Sequence, residues 1–339
     1  MIAFTYTALP ARVVFARGSL ARLGDEVARL GCSRPFVIGS ARYAVDVAAV
    51  GRFVDAAMHT PVEVTERVLA ELANADCLIA IGGGSAIGLA KALALRTDLP
   101  QIAVPTTYAG SEATPVLGQT ADGVKTTTRD LKLLPEVIVY DVELTRSLPR
   151  ALTMTSGLNA MAHAVEALYS PDANPVTTSF AEQALAALAR ALPKLAANLD
   201  DLDARSDALL GAWTAGTCLG SVGMGLHHKL CHVLGGSFGL PHSETHAVVL
   251  PYATAFNAIA TDAMARVARS IGSADAANGL RALAEALGAP TSLRQLGMPE
   301  DGLDRAAALA TAAPYPNPRP IERGAIRALL GAAWQGAWP

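Results

Sequence analysis

Aromatic residues are scarce in this chain: 7 Phe, 7 Tyr and 3 Trp among 339 residues, or 5%. Ala, Leu and Val therefore have to fill the interior. Charge is sparse as well, at 17% Asp, Glu, Lys and Arg, with a net charge of −3 and no long basic run. That excludes the electrostatic footprint of a nucleic-acid partner. Mean hydropathy is positive, +0.31. Even so, no apolar run reaches the roughly 18–20 uncharged residues of a membrane-spanning helix. The richest stretch, 70–95, is broken by charges and a glycine cluster, so no membrane partner is expected. The chain starts MIAFTYTALPARVVF, without a basic n-region or cleavable apolar segment, which points to the cytoplasm. Its four cysteines, Cys32, Cys77, Cys218 and Cys231, form no C-x-x-C pair. Reduced, buried thiols are expected in place of a disulfide framework.

Hydrophobic residues reach 51%. A chain of this length exceeds what one core usually supports, so two domains are expected. Up to about residue 150, short β-rich runs (12–15, 36–38, 77–81, 102–104, 137–140) alternate with helical patterns from 18 onward, over 62–72 and over 86–95. That alternation predicts a parallel sheet with right-handed crossovers and helices on both faces. Beyond 150 the patterns are helical: 157–167, 176–189, 206–219, 226–234, 262–271, 280–287, 303–312 and 321–334. The fold class read from this is an α/β Rossmann-like nucleotide-binding domain over 1–150 and an all-α domain over 151–339. The Pro-dense run PYPNPRP at 314–320 reads as a helix–helix connector.

In IAIGGGSAIGLAKA a buried strand runs into Gly82, Gly83, Gly84 and Ser85 and then a helix. Glycines allow close backbone approach, and the amides of a helix N-terminus bind phosphate. The motif is not G-x-G-x-x-G, and on its own it serves tight packing as often as ligand binding. A second strand, QIAVP, leads into Thr106 and Thr107, where open α/β sheets bind ligands. The two loops together point to a nucleotide. The turn Ile38–Gly39–Ser40–Ala41–Arg42 has no carboxylate to select NADH over NADPH.

Six of the seven histidines fall between residues 163 and 246. Asn159 and His163, His228 and His232, and His242 and His246 are pairs four residues apart, so each pair shares a helix face. The last pair is read as following a turn at Gly235–Gly236. A single histidine on an apolar helix is usually a satisfied core residue. Several clustered ones each need a partner and point to a site. A metal centre, an anion site with proton donors, and acid–base catalysis all fit at this point. His59 stands apart and is expected to be exposed.

The GGGS turn, PTT…GSE, N-A-M-A-H, H-K-L-C-H-V-L-G-G and L-P-H, in order across nearly the whole chain, resemble the iron-containing alcohol dehydrogenase family. The resemblance implies the dehydroquinate synthase-like architecture and a homodimer. It places cofactor contacts at Gly83, Gly84, Ser85, Thr106, Thr107 and Lys125. That family's metal ligands, an Asp and three His, fall on Asn159, His163, His228 and His242. The first is a departure, because an amide stands where the family has a carboxylate. The run PTTYAGSE is a second, one residue shorter than the family's. With PYPNPRP, these resemble a branch that uses NADH or NADPH, without a metal, to reduce the C=C bond of maleylacetate to 3-oxoadipate in aromatic-compound degradation. On that reading His163, His228 and His242 hold the developing oxyanion and the carboxylates, and His232 or His246 supplies the proton. Asn159, Lys229 and Arg319 contact a small dicarboxylate substrate. The alternatives are a metal-dependent (Fe or Zn) dehydrogenase of a small alcohol or polyol, a lyase that uses NAD transiently, and a non-catalytic nucleotide-binding protein.

Overall fold

The computed structural model describes residues 3–9, 11–58, 60–121 and 124–338, without the side chains of Val124 and Lys125. His59 lies outside the described residues. The chain forms two compact units, Ala8–Leu148 and Pro149–Pro339, the second joined by the described residues before Ala8.

The first unit carries the strands β1 (Arg12–Ala16), β2 (Pro35–Gly39), β3 (Gly51–Phe53), β4 (Cys77–Gly82), β5 (Gln101–Pro105), β6 (Val116–Ala121), β7 (Val124–Arg129) and β8 (Val137–Asp141). Its helices are α1 (Leu23–Arg29), α2 (Val62–Glu71) and α3 (Gly84–Thr97). Six strands form one sheet in the order β1-β8-β5-β4-β2-β3, and every pairing in it is parallel. Strands buried on both faces read as continuous apolar runs. Successive side chains of β4 point to opposite faces. Leu78 and Ala80 pack with α2 and α3, while Cys77, Ile79 and Ile81 pack with α1.

From β2 the chain moves outward to β3 and returns to β4 on the other side of β2. This reversal makes a switch point beyond the carboxyl ends of β2 and β4, where open α/β sheets bind ligands. The two turns there lie side by side because Gly39 is opposite Ile81 in the register. Gly39 has φ 143, and a Cβ on it would stand 2.1 Å from the Ile81 carbonyl oxygen. The first strand closes against the last: β1 pairs with β8, and the Asp141 carboxylate accepts the backbone N–H groups of Gly18 and Leu20, each at 2.9 Å.

Two elements of this unit differ from the sequence reading. The hairpin β6–β7 is antiparallel, and its strands VLGQTA and VKTTTR give no apolar alternation to detect. The strand β3 is only three residues long.

The second unit is helical: α4 (Arg150–Tyr169), α5 (Pro175–Ala197), α6 (Leu202–Ser221), α7 (Leu226–Phe238), α8 (His242–Phe256), α9 (Thr261–Ile271), α10 (Ala276–Ala286), α11 (Leu303–Ala310) and α12 (Arg323–Gln335). Most of these helices are longer than their apolar periodicity indicates. Gly157, read as the start of a helix, lies inside α4, where a Cβ would come within 2.6 Å of Leu192. The glycine serves close packing against α5. Likewise Gly235 and Gly236 are not a turn. The helix α7 runs through them and stops at Gly239, whose φ of 67 suits glycine and whose N–H bonds back to the Gly235 carbonyl. No single helix among the described residues is long and apolar enough to cross a membrane.

Candidate active site

Helix α4 is the axis of the histidine cluster, with 16 of its 20 residues buried. A buried polar side chain must find a partner. Thr153, Thr155 and Ser156 give their hydroxyls to carbonyls one turn back. Asn159, His163 and Glu166 are spaced i, i+4, i+7 on one face, and a carboxylate has no proton to give a carbonyl. A hydrogen-bond partner of His163 and most of those of Glu166 lie on α7 or its N-cap.

Glu166 sits at the N-terminus of α7. One oxygen accepts from the Gly225 N–H at 2.9 Å, the His228 N–H at 3.3 Å and His228 Nδ1 at 2.6 Å. The other accepts from the His227 N–H and the Tyr169 hydroxyl, each at 2.8 Å. These are first-turn amides with no intrahelical partner, at the positive end of the helix dipole. Burial alone would raise the Glu166 pKa. The bond to His228 and the nearby imidazoles more than offset this and lower it to about 2. Burial and the Glu166 charge push the Tyr169 hydroxyl well up.

An ionised Glu166 keeps a proton on His228 Nδ1, which leaves Nε2 facing His163 Nδ1 at 2.8 Å. The result is a carboxylate–imidazole–imidazole chain. A second pair lies against it, with His227 Nε2 and His246 Nδ1 3.0 Å apart. Burial first, and then the neighbouring imidazoles, lower His227 to about 3 and His246 well below its ordinary value, so this pair is neutral. The His246 ring centroid is 5.2 Å from His228, 6.2 Å from His163 and 4.4 Å from His242. His232 stands edge-on to His228 at 6.3 Å and is exposed, while His242 is half-buried. The five histidines singled out in the sequence thus form one group, joined by His227.

Asn159 is buried, and its Oδ1 has no hydrogen-bond partner. Lys229 is half-buried on α7. Arg319 is exposed, with its guanidinium 4.4 Å above the Phe256 ring. Its loop is tied down by Asn317, which exchanges two hydrogen bonds with Asn257 at 2.9 and 2.7 Å and accepts the Leu226 N–H. Gly225 lets these parts approach. A Cβ there would stand 3.2 Å from Glu166 Oε1, 3.2 Å from the Pro316 carbonyl and 3.3 Å from Asn317 Oδ1.

The donors at the family's ligand positions lack the carboxylate that the resemblance leads one to expect. Asn159 offers an amide oxygen and the three imidazoles are neutral ligands, so the set carries no negative charge. The carboxylate adjacent to them among the described residues, Glu166, already accepts five hydrogen bonds, about as many as its lone pairs allow. Among the described residues of this region, a different set, His227, Cys231 and His246, brings its potential ligand atoms within 4.8 Å of one another.

In the α/β unit, Gly83 is the N-cap of α3 and makes no side-chain cap bond, so the first-turn amides are available to an anion. A Cβ on Gly84 would meet nothing within 4 Å, whereas one on Gly83 would meet Thr107 Cγ2 at 2.8 Å. The Thr106 N–H bonds to the Gly82 carbonyl at 3.0 Å. The glycine turn and the threonine loop are therefore in direct contact. Ser85 is half-buried beside them. Lys125 lies opposite Thr120 in the β6–β7 hairpin, and its side chain is outside the described residues.

Sequence reasoning missed Glu166 and His227. A signal for the first existed, because Glu166 is the only acidic residue of α4, and a charge on a buried helix has to be paired. His227 offers no such signal, since its place in the cluster comes from tertiary packing.

The iron-containing alcohol dehydrogenase model matches residues 10–142, and the C-terminal model of the same family matches 153–334. A maleylacetate reductase of Rhizobium sp. (strain MTP-10005) is 53% identical, with 99% of each chain covered. The crystal structure of maleylacetate reductase from Agrobacterium tumefaciens superposes with a TM-score of 0.95 at 52% identity, all of both chains covered. That of a putative alcohol dehydrogenase from Ralstonia eutropha JMP134 does so at 0.98 and 51%, again over all of both chains. With both halves of its length matched and relatives above 50% identity end to end, this chain belongs to the iron-containing alcohol dehydrogenase family.

Proposed function

We propose that this protein is an NADH- or NADPH-dependent oxidoreductase that reduces the C=C bond of maleylacetate to 3-oxoadipate without a metal. One observation carries the reading beyond the likeness to relatives of that name. The buried cluster presents imidazoles with the neutral Asn159 one turn from His163, and among the described residues its carboxylate, Glu166, is held by five donors. Such a site favours an anionic substrate and an anionic transition state.

The dihydronicotinamide supplies a hydride to the alkene carbon β to the ketone. The electron pair of the double bond moves to the ketone oxygen, giving an enolate, and a proton then adds at the α carbon. The Glu166–His228–His163 chain, carrying one added proton, presents His163 Nε2–H to the oxygen as charge develops on it, with His228 as the link that orients His163, and His242 contacts a carboxylate. The proton comes by way of His232, which is exposed to water, in preference to His246, which its buried neutral pairing with His227 keeps from charging. Asn159 and Lys229 contact the substrate. The glycine turn, Ser85, Thr106 and Thr107 hold the dinucleotide, and the enzyme works as a cytoplasmic homodimer.

The test is loss of NADH absorbance with maleylacetate, with 3-oxoadipate identified as product, on protein whose iron and zinc content has been measured. Turnover of metal-depleted protein supports the proposal. Silence with maleylacetate, combined with metal-dependent oxidation of a small alcohol or polyol, defeats it.

A further inference from the structure

Lys91 lies two turns into α3 and is wholly buried, and the proposed chemistry leaves it unused. Its Nζ donates to the carbonyls of Ser111 and Thr114 at 2.6 Å each, to the Val116 carbonyl at 3.0 Å and to Thr114 Oγ1 at 3.0 Å. The Thr114 hydroxyl spends its own proton on the Ser111 carbonyl, so all four oxygens face the nitrogen as acceptors. An ammonium has three N–H groups and no lone pair, whereas an amine has only two and a lone pair that would oppose a carbonyl. The geometry is that of a cation in an oxygen cage. Burial draws Lys91 down to about 7, and the nearby Glu112 raises it. Glu112 is itself buried and accepts from the Tyr140 hydroxyl at 2.8 Å.

The cage is built from the far end of the segment that begins with Thr106 and Thr107. At its near end the Thr106 N–H bonds to the Gly82 carbonyl and Thr107 packs on Gly83. Between these ends Gly110 turns the chain with φ 76. One rigid helix thus carries Gly84 and Ser85 at its start and, seven residues on, the single ammonium that pins the other loop.

We propose that Lys91 is a positioning residue for the dinucleotide: a tethered cation that sets residues 106–116 against α3 so that Thr106 and Thr107 meet the cofactor. This rests on the reading of those threonines as cofactor contacts.

The experiment measures the NADH Kd by fluorescence for wild type, Lys91→Ala and Thr107→Val, each with and without n-propylammonium, and with tetramethylammonium at equal ionic strength. The steady-state KM for maleylacetate is measured alongside. Lys91→Ala should weaken NADH by roughly tenfold or more, since a misplacement of about 1 Å can cost up to about 100-fold. Its maleylacetate KM should stay unchanged, an asymmetry that a general loss of structure would not produce. Propylammonium should restore NADH binding, and tetramethylammonium, which cannot donate, should not. If Lys91→Ala binds NADH like wild type, or is weakened without rescue, while Thr107→Val is weakened, Lys91 is not a positioning residue. If Thr107→Val binds normally, the cofactor reading of the loop is what fails. Should Lys91→Ala not fold even with propylammonium, Thr114→Val removes one cage oxygen. It should weaken NADH about threefold, within the range for one lost hydrogen bond, and an unchanged Kd would overturn the proposal.

Discussion

Glu166 Oε2 and His228 Nδ1 lie 2.6 Å apart, and this one bond decides which nitrogen of His228 faces His163. Because the same carboxylate also gathers the first-turn amides of α7, the orientation of the imidazole and the placement of the helix are a single arrangement.

Replacing Glu166 with Gln keeps the shape and removes the charge. Turnover should fall about 10–100-fold, the usual cost of losing a group that orients a functional histidine, with a smaller change in KM. Stability should respond to pH with a definite sign. The folded pKa of about 2 lies below the ordinary 4.5, so the carboxylate adds stability that is complete above the ordinary value and disappears as pH falls through the folded one. The melting temperature of wild type should exceed that of Glu166→Gln at neutral pH, and the gap should close between about pH 4.5 and 2. A gap that stays constant over this window would show that Glu166 is not an ionised partner.

Asn159→Asp should turn the site toward metal. The new carboxylate adds the anionic ligand that the present set lacks, so metal analysis should find more bound iron or zinc than in wild type. In metal-free protein it should raise KM for a dianionic substrate, because one extra charge at 4–6 Å is worth on the order of 1 kcal/mol or more at an effective dielectric near 20. Unchanged kinetics together with unchanged metal content would mean that residue 159 does not touch the substrate.

His228→Ala, which removes the support of the oxyanion donor His163, and His242→Ala, which removes a carboxylate contact, should each lower turnover on the order of 100–1000-fold, the range for losing such a donor. Single-turnover rates alongside melting curves would separate this from unfolding. Near-wild-type rates in both, with folding intact, would remove the histidines from the chemistry.

Gly225→Ala places a methyl among three oxygens at 3.2–3.3 Å. Overpacking of this kind costs about 1–3 kcal/mol, so a lowered melting temperature is expected, with reduced activity because Glu166 is one of the atoms displaced. A variant that melts like wild type would show that the loop around Asn317 yields freely.

Discrimination between NADH and NADPH should be weak. The turn after β2 carries no carboxylate, and two arginines border it: Arg52 donates to the Ser40 carbonyl at 3.0 Å, and Arg42 lies on the Tyr43 ring. A ratio of kcat/KM values above about 100-fold in favour of NADH, roughly 2.7 kcal/mol, would reveal a discriminating group elsewhere.

The parallel sheet was legible in the sequence because its central strands are buried on both faces and appear as unbroken apolar runs such as CLIAI. Helix lengths were less so. The helix α4 is buried nearly all round, so it has no polar face to mark where its periodicity begins. The histidine pairs could be seen from i, i+4 spacing on one helix, but the bonds His163–His228 and His227–His246 join different helices, and spacing within a helix says nothing about contacts across them. The lone charge of Glu166 on α4 was visible, but its partners were not, since most of them are donors on α7 that become available only once that helix starts at Leu226. The hairpin β6–β7 was missed because the apolar residues of VLGQTA do not alternate and VKTTTR has only one.

The pairing of β1 with β8 also sets an order of assembly. During synthesis the segment RVVFA leaves the ribosome first, yet its partner, VIVYD, follows more than 120 residues later. Until then an apolar strand with open edges is exposed to solvent, the condition under which nascent chains associate wrongly. Contacts this distant along the chain also make folding slow. The α/β unit therefore completes itself only after Asp141 has emerged, when its carboxylate takes the Gly18 and Leu20 amides and fixes the first-made strand beside the last.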